Sequence, residues 1–109
     1  MNIQRFDSKV DDSITIYLMA IENGVVEGVL RIDPDGYILS LYVIEAARKC
    51  GLGANLVEQA CEVLRAEGRK MVGLSVHKDN EAVRRLYERL GFLPYMPGHD
   101  DYTQFVKVL

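Results

Sequence analysis

Asn23-Gly24 lies between two stretches in which apolar residues alternate. Both residues tolerate positive φ, and a two-residue loop of this type matches the twist of an antiparallel pair, so the dipeptide predicts a hairpin. Ile14 to Ile21 supplies its first strand, with Ile14, Ile16, Leu18 and Ala20 on one face. Val25 to Ile32, interrupted by Gly28, is the return strand. Asp33-Pro34-Asp35-Gly36 is a second turn, in which proline fixes φ and glycine accepts the left-handed position. Tyr37 to Val43 follows as a third strand, and the three read as an antiparallel meander. Ile3 to Phe6 predicts a short strand in front of them, and Asp11 to Ser13 is polar punctuation.

The apolar period then changes. Leu52, Leu56, Ala60 and Leu64 recur at helical spacing with Val57, Cys61 and Val63 beside them, and Gly68 stands where a helix ends. Met71 to Val76 reads as a buried strand. Asp79 or Asn80 can cap a second helix, whose stripe is Val83, Leu86, Tyr87 and Leu90 and whose stop is Gly91. Phe92 to Tyr95 predicts a short strand before the breaks at Pro94, Pro97 and Gly98, and Thr103 to Leu109 the last strand. The predicted order is β-β-β-α-β-α-β-β with a further strand ahead, which places the chain in the mixed α/β class.

A length of 109 residues fits a single domain, 1–109. The formal net charge of −3 argues against nucleic acid as a partner, because such affinity comes from surplus Lys and Arg. Basic residues still cluster at Arg48-Lys49, at Arg65 with Arg69-Lys70, and at Arg84-Arg85 with Arg89. Solvated helix faces account for such clusters, and so does a small polyanionic ligand. Cys50 and Cys61 lack metal-ligand spacing, so no metal is expected, and they form no disulfide framework. The first dozen residues lack the apolar segment of a signal peptide, and no apolar run is long enough to span a bilayer. The expectation is a cytoplasmic protein without membrane contact.

Arg48-Lys49-Cys50-Gly51-Leu52-Gly53-Ala54 joins a strand to a helix. The first turn of a helix offers unpaired N–H groups and a partial positive charge. Glycines let backbone approach a ligand, and Arg48 adds charge. The segment is suited to a pyrophosphate, although two glycines before a helix also make a plain tight connection. It lacks both the P-loop pattern and the three glycines of a dinucleotide fingerprint.

Leu41-Tyr42-Val43, followed five residues on by Arg48-Lys49-Cys50-Gly51-Leu52-Gly53, resembles motif A of the GNAT acetyltransferases, Arg/Gln-x-x-Gly-x-Gly/Ala. A second block resembles motif B: Leu74-Ser75-Val76, then Asn80, then Tyr87 seven residues later, then Leu90-Gly91-Phe92. Together the blocks cover roughly Tyr37 to Tyr95. The resemblance implies a mostly antiparallel, V-shaped sheet flanked by two helices on opposite faces. It implies acetyl-CoA as cofactor. The pantetheine arm would lie along Leu41, Tyr42 and Val43, and the pyrophosphate on the backbone of Arg48, Lys49, Cys50, Gly51, Leu52, Gly53 and Ala54. Leu39 to Val43 and Leu74 to Val76 would wall the cleft, with Tyr42 and Ser75 as further lining. Cys50 is then a backbone donor with an incidental thiol.

Tyr87 corresponds to the family's usual general acid, which protonates the departing thiolate, and touches the cofactor. Its place on an apolar stripe equally suits a core tyrosine. Asn80 would contact the cofactor, or cap its helix, or both. The base is not evident: Tyr37 to Val43 holds no carboxylate, which leaves Glu27, Asp33, Glu45 and His77. Family members carry a strand and two helices before the meander, whereas about a dozen residues precede Ile14 here. The fold is thus expected to be N-terminally reduced, with an open acceptor side suited to a lysine or N-terminal amine on a protein, or closed by a second subunit in a homodimer. The alternative is a non-catalytic module that binds CoA or a partner protein.

Overall fold

The computed structural model describes residues 2–97 and 101–109. Strands β1 (Asn2–Val10), β2 (Ser13–Glu22), β3 (Val25–Ile32) and β4 (Ile38–Val43) form one antiparallel sheet in that order. Asn23 and Gly24 turn β2 into β3 at φ 50° and 76°. Asp33 organises the next turn: its carboxylate accepts from the N–H groups of Asp35 and Tyr37, each at 2.9 Å. Arg69 fastens that turn from outside, donating to the carbonyls of Asp35 and Pro34.

The first strand is longer than the four residues its sequence suggests. Asp11 takes φ 56°, so a two-residue turn closes on Val10 and Ser13, and all of β1 pairs with β2. Arg5, Asp7, Ser8 and Lys9 hide this from an apolar pattern, because an edge strand can be held by its backbone without being buried. The two-residue turn also means that no helix stands between β1 and β2.

After a 3-10 turn at Glu45–Ala47 come α1 (Leu52–Ala66), β5 (Met71–His77), α2 (Glu81–Arg89), β6 (Leu93–Pro97) and β7 (Tyr102–Val108). These last strands form a second sheet, ordered β5-β7-β6. Gly98, read in the sequence as part of a break, lies outside the described residues. β4 and β5 run parallel but meet only at a single bridge, Tyr37 to Gly73, and then part. A Cβ on Gly73 would come within 2.9 Å of the Tyr37 ring, so glycine lets that ring lie over the joint. The two sheets form the arms of a V.

The helices share one face, which corrects the expectation of opposite faces. β7 is antiparallel to both β5 and β6, so β5 and β6 run parallel. β4-α1-β5 and β5-α2-β6 therefore both cross between parallel strands, stepping the same way, and right-handed crossovers then fall on one side. The contacts agree. Leu52 and Leu56 of α1 cover Gly28 on β3, and Leu86 of α2 lies beside Gly53 of α1. Lys107 on β7 reaches the Leu90 carbonyl after α2 at 2.7 Å. Leu30, Ile32, Leu56, Leu64, Val72, Leu74 and Phe92 are fully buried between helices and sheets.

The other face carries no helix among the described residues. The register puts Phe6, Tyr17, Arg31 and Ser40 in one row across it and Gln4, Met19, Val29 and Tyr42 in the next. Antiparallel sheets tolerate one face toward water, but Phe6, Tyr42, Met71 and Tyr102 make this an apolar surface. No described helix is long and apolar enough to cross a membrane.

Candidate active site

The chain leaves β4 at Val43 and enters α1 through two left-handed residues, Lys49 at φ 70° and Gly51 at φ 78°. Gly51 is the N-cap and supplies no side-chain bond. The first intrahelical bond runs from Asn55 N–H to the Gly51 carbonyl, so the N–H groups of Leu52, Gly53 and Ala54 have no acceptor within the helix. No acidic residue stands in this first turn. The backbone thus concentrates donors and partial positive charge at one point. Arg48 braces the connection, its Nε donating to the Val43 carbonyl at 3.0 Å.

Above this turn lies a cavity of about 570 Å³. Leu41, Tyr42 and Val43 form one wall, Arg48, Lys49 and residues 51–54 the floor, and Asn80, Val83, Leu86 and Arg89 of the α2 segment the other wall. Cys50 does not line it: its thiol is exposed and turned toward the Arg48 carbonyl at 3.7 Å. Gly51 is needed for its backbone angle. Gly53 is not crowded, since a Cβ there would meet Leu86 and Leu41 at 3.6 and 3.7 Å, ordinary contacts that alanine satisfies.

A smaller cavity of about 130 Å³ adjoins the first and shares Leu41, Asn80 and Val83 with it. It fills the mouth of the V. Leu74 and Tyr87 line it from the helix side, and Ser40 and Ser75 belong to the open face, so residues of both sheet faces border it.

Tyr87 is the sole ionisable side chain of that lining. Its residue is 4% exposed, and burial pushes the phenol up to about 12. The ring packs edge-on against Phe92 at 5.3 Å. Its hydroxyl has no hydrogen-bond partner among the described residues, and the residue is both part of the core and part of the small cavity's lining. Asn80 caps its helix, Oδ1 accepting from Val83 N–H at 3.4 Å, and the residue borders both cavities. None of the four base candidates lines the small cavity. Glu27 sits at a bulge, Asp33 serves its own turn, and Glu45 lies in the 3-10 turn. His77 accepts from Asp79 N–H and packs edge-on against Tyr102.

Sequence reasoning missed the contribution of Val83, Leu86 and Arg89. The first two were absorbed into an amphipathic stripe. Arg89 was grouped with Arg84 and Arg85, yet the structure separates them. Arg84 and Arg85 pair with Glu81, and Arg84 also approaches Glu88, whereas Arg89 borders the large cavity with no ion pair among the described residues. The i, i+3, i+6 spacing of Val83, Leu86 and Arg89 was the available signal.

The two cysteines differ in reactivity on the same grounds. Burial pushes the Cys61 thiol up, and Cys50 is exposed. A chromogenic disulfide reagent is expected to titrate one thiol quickly in native protein and the second only after denaturation. Two fast thiols would contradict the packing of α1.

A helix N-terminus without a side-chain cap beneath the gap between two sheets is suited to a long ligand with an anionic end. Residues 2–92 match the family described as Acetyltransferase (GNAT) family. The chain belongs to that family. It is 35% identical over 97 residues to N-alpha-acetyltransferase 40 of Saccharomyces cerevisiae, an alignment that covers 80% of this chain and 34% of that protein. The chain thus spans about a third of the length of that relative. Among solved structures, the PaiA N-acetyltransferase of Thermoplasma acidophilum in complex with coenzyme A matches with a TM-score of 0.82 at 18% identity, over 87% of this chain and 61% of that one. The NatC complex bound to Gag peptide and CoA matches with a TM-score of 0.68 at 20% identity, over 87% of this chain and 70% of that one. Likeness at these identities speaks to the fold.

Proposed function

We propose that this chain moves an acetyl group from acetyl-CoA to the α-amine of a protein or peptide. The observation that carries the reading is the pair of adjoining cavities, one cationic and floored by helix N–H groups without an acceptor in the helix, the other bordered by residues of both sheet faces. The residues present fit the donor. The N–H groups of Leu52 to Ala54, with Arg48, Lys49 and Arg89, suit its pyrophosphate, and Leu41 to Val43 suit the pantetheine arm. The donor supplies an activated thioester, from which the acceptor amine displaces a thiolate. Tyr87 stays protonated at neutral pH and offers its hydrogen to the sulfur as charge develops there. An ordinary thiol is more acidic than this phenol, so a donated hydrogen bond, rather than a completed early proton transfer, is its natural contribution.

The choice of amine follows from the missing base. Among the described residues, the small cavity has neither carboxylate nor imidazole. An acceptor that arrives already neutral needs no base to expose its lone pair, and the proton its nitrogen sheds on amide formation balances the one the departing thiolate takes up. At neutral pH an α-amine is neutral roughly 300 times more often than a lysine amine, from reference pKa values near 7.9 and 10.4. Acetylation of N-termini is also what the name of the yeast relative says of that protein. The same missing base favours the second reading, a CoA-binding module without catalysis.

Calorimetric titration separates these readings from failure of both. Acetyl-CoA and CoA are expected to bind at micromolar concentration, and Arg48→Glu to weaken binding at least about tenfold, since it replaces attraction to phosphate with repulsion. No binding at millimolar ligand would overturn the cofactor site. Binding, with no transfer of labelled acetyl to peptides that have free N-termini, would leave the non-catalytic module.

A further inference from the structure

We infer that Arg31 reads a carboxylate on the acceptor, so that the enzyme favours N-termini with an acidic side chain within about two residues of the amine. The inference rests on the acetyl-transfer reading above and names its substrate class.

Arg31 is exceptional among the arginines of this chain. Arg5 is paired with Asp7 and Glu67, Arg65 with Glu62, and Arg84 and Arg85 with Glu81. Arg48 and Arg69 donate to backbone carbonyls, and Arg89 borders the cofactor cavity. Arg31 alone has neither a partner among the described residues nor a place in that cavity. Its Nε is shut off from solvent and bonds to nothing. The two Nη nitrogens are not shut off in this way and have no partner among the described residues, so a carboxylate can meet the guanidinium end-on.

The position gives that contact its meaning. Arg31 stands directly across from Ser40, and Ser40 lines the cavity where transfer would occur. Opposed residues of an antiparallel pair have Cβ atoms about 5 Å apart, within reach of a guanidinium. Arg31 lies on the open face, the side from which the acceptor has access, while the cofactor cavity lies on the helix side. Its cross-strand neighbours, Tyr17, Met19, Ser40 and Tyr42, carry no carboxylate, and Asp33, two residues along, has its carboxylate engaged by its own turn. A planar guanidinium among uncharged groups is suited to a carboxylate held by two parallel hydrogen bonds. Successive Cα atoms are about 3.8 Å apart, so a side chain one or two residues behind the amine spans the distance from the cavity to Arg31.

The test uses peptides that differ only at the second and third residues, Asp or Glu against Gln or Lys. It reads kcat/KM for acetylation and, separately, peptide binding to the CoA-saturated protein by fluorescence anisotropy. Wild type is expected to prefer acidic peptides at least about tenfold over the amide versions, as for a charge-assisted bidentate contact. Arg31→Gln is expected to bring that ratio to about one, and Arg31→Glu to turn it toward lysine peptides. Thermal melting and CoA titration of both variants verify that they are folded, and Arg31→Lys, which keeps charge without the fork, is expected to restore only part of the ratio. Acetylation with no acidic preference, or a preference that survives Arg31→Gln, overturns the role of Arg31 and leaves the transfer reading standing. Arg31-dependent binding of acidic peptides without acetylation does the reverse. Neither binding nor acetylation of any peptide overturns both.

Discussion

Tyr87→Phe is expected to lower kcat by about 10²- to 10⁴-fold, the usual worth of a positioned acid. CoA affinity and folding are expected to change little. Phenylalanine keeps the ring that packs against Phe92 and removes only a hydroxyl with no partner among the described residues. The pH dependence follows from the phenol's position near 12. The group is protonated throughout the working range, so it imposes no alkaline limit on rate near neutrality. It does affect stability. Its folded pKa is raised above the unfolded value of 10.0, so the folded state holds its proton where the unfolded chain has lost it. That contribution is complete below pH 10 and is lost as pH rises toward about 12. Chemical denaturation of wild type between these pH values is expected to show the loss, and Tyr87→Phe to lack it. An unchanged kcat in the variant would reduce Tyr87 to a core residue, and the cavity would then need another proton donor.

Phe92→Ala is expected to cost about 3–5 kcal/mol of stability, by the usual penalty for removing a buried aromatic ring. Phe92 is 0% exposed, its N–H is bonded to the Tyr87 carbonyl, and its ring lies between Tyr87 and the ammonium of Lys107, 6.0 Å from the centroid. A domain of this size has only about 5–15 kcal/mol in total, so much of its stability rests on one ring. Urea denaturation measures the change. Leu93→Ala is the control: Leu93 is the next residue but 67% exposed, and a change within about 0.5 kcal/mol is expected there. Comparable losses at both positions would mean that β6 is packed differently from the structure described. Because Phe92 also positions the Tyr87 ring, its loss is expected to lower activity in the fraction that remains folded.

The meander was legible because each of its turns carries its own mechanism, in Asn23-Gly24 and in the Asp33 carboxylate. The helices were legible from Leu52, Leu56, Ala60 and Leu64, and from the Asn80 cap. What failed to show was non-local. β1 is polar and pairs through backbone, which a hydrophobic pattern does not record. The bulges after Ala20 and Arg31 have no local signature, although the second is beside the residue we assign to the acceptor. The side taken by α2 depends on β7 slipping between β5 and β6, an event later in the chain than the helix itself. For the site, the glycine turn and Tyr87 could be named through the family resemblance. Arg89 could not be told from Arg84 and Arg85, because which of them meets Glu81 is decided by helix phase and side-chain placement.

The parting of β4 from β5 leaves a seam along which two β-strands run in the same direction with a single backbone bridge between them. A sheet interrupted in this way is an incomplete object, and a ligand arm with amide groups can enter it as a missing strand does. Folding and ligand capture then draw on the same backbone donors and acceptors. On the proposed reading the free protein is a template one strand short, and its resistance to unfolding is expected to rise with the amount of donor its surroundings supply.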